Sequence, residues 1–130
     1  MPGEPILIVD DNPVNLKLAR VLLTSEGYNV RTATDAEEAL DVLHSFHPRL
    51  ILMDIQLPGM DGLELTKRLK ANPETRDIII LALTAYAMKG DDKKTLDAGC
   101  DGYISKPVDT RTLPGTIAEH LANRRKSGTG

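Results

Sequence analysis

Five polar residues stand where apolar runs end. Asp10 and Asp11 follow "ILIV" at 6–9, Asp54 follows "LILM" at 50–53, Thr84 follows "IIILAL" at 78–83, and Lys106 follows "YIS" at 103–105. One acid at a strand tip is ordinary. Three acids, an ammonium and a hydroxyl delivered to one edge point to chemistry. Two carboxylates ~5 Å apart repel by about 3 kcal/mol at an effective dielectric of 20. One lysine offsets only part of that, so a hard cation is the economical remedy. All-oxygen ligands with room for water suit Mg²⁺ held by one or two carboxylates and a substrate phosphate. Asp10 and Asp11 form the pair suited to metal, and Asp54 stands alone as the candidate nucleophile for an aspartyl phosphate. Phosphoryl transfer needs mostly alignment and charge neutralisation, which the cation, Lys106 and Thr84 could supply from three sides.

These residues work together only if the chain brings the run ends to one rim. The strong runs are continuous rather than alternating, as in parallel strands buried on both faces; "NVRTA" at 29–33 is a weaker fifth. Helical stretches lie between them. Asn12-Pro13 suits an N-cap and first position, predicting a helix near 13–26 that stops at Gly27. Asp35 with Glu38 resembles a capping box opening a helix to about 45, and Leu65 and Leu69 mark one near 62–71. A polar helix is expected near 89–98 and a last one near 111–123. Five strand–helix alternations predict an α/β fold: a doubly wound five-stranded parallel sheet, flavodoxin-like, in the order 2-1-3-4-5. In such sheets ligands bind outside the carboxyl ends of the strands, where these five residues fall.

The 130 residues fit one domain, expected over 1–123, with "RRKSGTG" leaving a flexible tail over 124–130. A net charge of −3 gives no reason to expect nucleic acid, and no run approaches a membrane span. Cys100 is alone, which excludes a disulfide framework and suits a reducing, cytoplasmic setting.

Taken together, "ILIVDDN", "LILMDIQLPGMDG", "LTA" and "YISKP" closely resemble the receiver domain of two-component response regulators, the CheY-like family, over about residues 5–122. The stretch "TAYAMKGD" further resembles stand-alone regulators and the receivers of hybrid histidine kinases. The resemblance implies that Asp54 accepts a phosphoryl group from a histidine kinase or histidine phosphotransfer protein and signals to a downstream effector. It implies that Asp11 binds Mg²⁺ directly, Asp10 largely through water, and Gln56 through its backbone carbonyl. Lys106 would contact the phosphoryl oxygens, held by a cis peptide before Pro107. Thr84 and Tyr103 would form the switch pair, with output on the helix near 89–98, strand 5 and the last helix. On this reading the protein catalyses only its own phosphorylation and dephosphorylation.

Three rivals are weighed against it, one of them a receiver fold used only as an interaction module, which unchanged partner binding in Asp54→Asn would support. A haloacid-dehalogenase-like phosphatase wants a second acid two residues past the nucleophile, where Gln56 stands. A flavin site wants a Ser/Thr/Gly phosphate loop and flanking aromatics, which "DDNPV" and 3% aromatic content do not offer. "PGMDG" at 58–62 reads as a turn and helix start, His44 and His47 as surface residues, and Cys100 as half-buried. In the first helix Leu18, Ala19, Leu22 and Leu23 supply a core stripe, while Val14, Leu16 and Val21 exceed its need. Val14, Leu18 and Val21 are the expected docking patch for a kinase or phosphotransfer partner.

Overall fold

The computed structural model describes residues 3–55, 57, 59, 62–84, 97–105 and 109–129. Strands β1 (Pro5–Val9), β2 (Asn29–Ala33), β3 (Leu50–Asp54), β4 (Ile79–Thr84) and β5 (Gly102–Ser105) form one parallel sheet in the order β2-β1-β3-β4-β5. This is the doubly wound arrangement expected. The central strands β3 and β4 are buried at every position, so they carry the longest apolar runs. Strand β2 lies at an edge, with exposed Asn29 and Arg31 alternating with partly buried Val30 and Thr32, and so gives the weakest signal.

Alternate strand residues feed two apolar layers. Leu7, Val9, Ile51, Met53, Ile80 and Ala82 pack on one face beneath helices α2 (Ala36–Leu43) and α3 (Gly62–Ala71), which contribute Ala36, Ala39, Leu65 and Leu69. Ile6, Ile8, Leu50, Leu52, Ile79, Leu81 and Leu83 pack on the other, beneath α1 (Pro13–Ser25) and the C-terminal helix (Leu113–Thr129). Removing this surface from water, at roughly 25 cal/mol per Å² of apolar area, is the main drive for folding.

The local signals act as read. Asn12 caps α1, its Oδ1 accepting from the Val14 and Asn15 N–H groups at 2.9 and 3.2 Å. Asp35 caps α2 by accepting from the Glu38 N–H at 2.8 Å, while Glu38 reaches back one residue further than a standard box, to the Thr34 N–H.

Three expectations are corrected. The buried stripe of α1 is Leu16, Ala19 and Leu23, at spacings of three and four, with Leu22 partly buried; Leu18 lies two residues round from Leu16 and is 45% exposed. Cys100 is buried rather than half-buried. The last helix, expected near 111–123, begins at Leu113 and runs to Thr129. Among the described residues no helix is long and apolar enough to cross a membrane.

Candidate phosphoryl-acceptor site

The register of the sheet decides which residues meet. Strand β1 pairs with β3 as far as Val9↔Met53, so Asp10 and Asp54 each follow a paired residue on adjacent strands. Asp10 is fixed by its own backbone, whose N–H donates to the Ala33 carbonyl at 3.0 Å, and by its Oδ1, which accepts from the Asn12 N–H at 2.9 Å. The residue that caps α1 thus also orients the acid before it. Asp54 pairs with Leu83, and the next N–H, of Ile55, donates to the Leu83 carbonyl at 3.3 Å.

One carboxylate oxygen from each of Asp10, Asp11 and Asp54 lies within 4.8 Å of the others. Asp10 and Asp54 are 1% and 2% exposed and Asp11 is open to solvent. Burial raises the cost of gathering like charge, since less water screens it. The donor set is all oxygen, two carboxylates buried and one at the surface with access to water. That chemistry fits Mg²⁺, which keeps several waters and accepts few carboxylates.

Thr84 follows Leu83, the register partner of Asp54, and is 2% exposed at the same rim. Tyr103 sits opposite Ala82 on β5 and is 44% exposed, its ring at the surface. Thr84 is therefore brought beside the acid cluster, while Tyr103 is one strand further out. Gln56, Lys106, Pro107 and most of the helix expected near 89–98 lie outside the described residues; Asp97 and Ala98 are helical and Gly99 follows with φ +105°. Val14, Leu18 and Val21 are 72%, 45% and 52% exposed, and with Pro13 and Lys17 they line a shallow apolar surface on α1. His47 is a surface residue, 3.6 Å from Asp77, and His44 is also exposed.

Sequence reasoning missed Gly62. It was read as part of a turn, and Gly59 does take φ +75°, but Gly62 has a steric task. A Cβ there would strike the Asp54 carbonyl oxygen and come within 2.7 Å of Ile55 Cα, while the Gly62 N–H donates to the Ile55 carbonyl at 3.1 Å. Helix α3 therefore begins against the peptide of Asp54. A glycine at a fixed offset beyond a charged strand tip was the available signal, and close backbone approach is what it marked.

Comparison with known proteins agrees with this geometry. The family profile described as "Response regulator receiver domain" matches residues 6–118. The polar-differentiation response regulator DivK of Brucella ovis is 46% identical over 120 residues, covering 92% of this chain and 98% of that protein. A CheY-like response regulator receiver domain protein from Methanospirillum hungatei superposes with a TM-score of 0.88 at 35% identity, covering 96% of this chain and 98% of the other. The receiver domain of a Pseudomonas aeruginosa sensor histidine kinase, solved with a magnesium ion coordinated in its active-site cleft, superposes with a TM-score of 0.84 at 35% identity over 92% of this chain and 98% of that one. The chain belongs to the response regulator receiver domain family and is a phosphoaccepting receiver of a two-component signalling system.

Proposed function

We propose that Asp54 is the phosphoacceptor and that Asp10 and Asp11 hold Mg²⁺ beside it. The meeting of three carboxylate oxygens within 4.8 Å carries this reading. An Asp54 oxygen attacks phosphorus, and the phosphorus–nitrogen bond of a donor phosphohistidine breaks, leaving the imidazole. The donor is a histidine kinase or histidine phosphotransfer protein. When bound, the cation neutralises the acids and the phosphoryl oxygens in the transition state. Asp10 and Asp11 would hold it, with Gln56 as the further residue the resemblance implies. Asp10 keeps its orientation through the Asn12 N–H while it does so. Lys106 would contact the phosphoryl oxygens through its ammonium.

The product would carry roughly −2 charge and three strong acceptor oxygens, by analogy with phosphoserine. The Thr84 hydroxyl donates to one of them, and a charge-assisted bond of about 1.5–3 kcal/mol suffices to shift a two-state equilibrium. Tyr103, its ring at the surface here, then turns inward behind Thr84. Strand β5 and the C-terminal helix, with the helix expected near 89–98, form the surface read by a downstream effector. The protein acts in the cytoplasm, does not itself bind nucleic acid, and turns over only its own aspartyl phosphate.

Acetyl phosphate with Mg²⁺ should add one phosphoryl group to the wild type and none to Asp54→Ala, read by intact mass. Equal labelling of the two would refute the assignment. The phosphohistidine donor docks on Val14, Leu18 and Val21, beside the acidic loop. Val14→Asp with Val21→Asp should slow transfer from a phosphohistidine donor at least ~10-fold, as expected when an apolar docking surface gains charge. Labelling by acetyl phosphate should stay unchanged in the same protein, and a parallel loss of both would remove the docking role.

A further inference from the structure

Among the described residues, two side chains in the layer between α3 and the sheet carry hydrogen-bonding atoms bonded to one another. Thr66 is 0% exposed and Cys100 is 5% exposed, among Leu65, Leu69, Ile80 and Ala82. Their polar atoms run in series: the Cys100 Sγ donates to Thr66 Oγ1 at 3.9 Å, and Thr66 Oγ1 donates to the Gly62 carbonyl at 2.8 Å. Burial pushes the Cys100 thiol above its ordinary pKa, partly opposed by its bond to Thr66, so the sulfur keeps the proton it donates.

The Gly62 carbonyl is the one the regular helical pattern also assigns to the Thr66 N–H. A second bond onto it from the hydroxyl bends a helix at that turn. Here the turn abuts the reacting residue, because Gly62 is seated against the Asp54 peptide and bonded to Ile55. The first turn of α3 is thus tied to the backbone of Asp54 and Ile55.

We propose that Thr66 is a positioning residue for phosphorylation: its hydroxyl, backed by Cys100, sets the first turn of α3 and through Gly62 fixes Asp54. The inference rests on Asp54 being the acceptor. It assigns a function to a buried hydroxyl that packing alone would fill with valine.

The test is an isosteric exchange in the full chain. Thr66→Val keeps the shape and removes the hydroxyl; Thr66→Ser keeps the hydroxyl. The rate of labelling by acetyl phosphate at saturating Mg²⁺ should fall about 5–10-fold in Thr66→Val, a fraction of the ~100-fold that a misplacement of about 1 Å can cost. Thr66→Ser should stay within about twofold of wild type by the same argument. Melting temperature is measured alongside, because a merely structural threonine would lower it without slowing labelling. If Thr66→Val fails to fold by circular dichroism, Thr66→Ala carries the same expectation. Wild-type labelling rates in the hydroxyl-less variant would overturn the proposal. A wild type that takes no label, or an Asp54→Ala protein that does, would instead overturn the acceptor assignment beneath it.

Discussion

The two rims of the sheet both carry charge and handle it oppositely. At the amino ends of β4 and β5, Lys70 of α3 lies 3.0 Å from Asp101 and donates also to the carbonyls of Ile78 at 2.7 Å and Arg76 at 3.3 Å. Asp101 accepts from the Ile80 N–H at 2.8 Å with the same oxygen that meets Lys70. Opposite signs meet there, and the result is a clasp joining α3, β4 and the start of β5. At the carboxyl rim, three like-signed carboxylates are gathered instead. A fold that wanted only stability would have treated both rims as it treats the first. The difference separates charge that builds the molecule from charge held ready for a ligand.

Altering the clasp should give the larger effect on folding. Lys70→Met leaves Asp101 without its ammonium in a half-buried place, where its side chain is 27% exposed. A loss of about 2–3 kcal/mol in unfolding free energy is expected, discounted from the cost of breaking a fully buried pair. Urea denaturation would measure it, and Mg²⁺ affinity in the folded variant should stay within about twofold of wild type, because distant sites behave additively. A clasp variant that lost cation binding would show the two rims to be coupled.

Altering the acid rim should do the reverse, with a smaller energetic effect. Asp11→Asn removes one charge from the exposed member of the acid cluster. Its Mg²⁺ dissociation constant, measured by calorimetry, should rise about 10-fold, equivalent to roughly 1.4 kcal/mol. Stability without Mg²⁺ should hold or increase slightly, since a repulsion is relieved. A marked loss of stability would mean that Asp11 has a structural role like that of Asp101.

The parts of this fold that announce themselves in sequence are those where neighbouring residues report the same environment. β1, β3 and β4 are buried on both faces, so the residues ahead of each strand's end are apolar and the polar tip is conspicuous. Asn12 and Asp35 were legible because a cap acts within three residues. The misjudged face of α1 is a matter of rotation: with apolar residues at 14, 16, 18, 19, 21, 22 and 23, most of the helix circumference qualifies, and only the packed sheet selects Leu16, Ala19 and Leu23. Thr66 with Cys100 and Lys70 with Asp101 depend on contacts across the fold. No local pattern encodes them. Thr66 and Cys100 lie 34 positions apart, and each alone is an unremarkable small residue.

The exposed flank of β2 has a consequence for crowding. A parallel sheet that ends in an open strand offers its unpaired backbone to any extended chain it meets, a route to fibrils at high concentration. Here that margin is short, and it presents Asn29 and Arg31 outward, with the Arg31 guanidinium 5.2 Å from the centre of the Phe46 ring. A bulky cation anchored over an aromatic makes a poor surface for strand addition. The protein can thus be kept abundant without its border seeding aggregates.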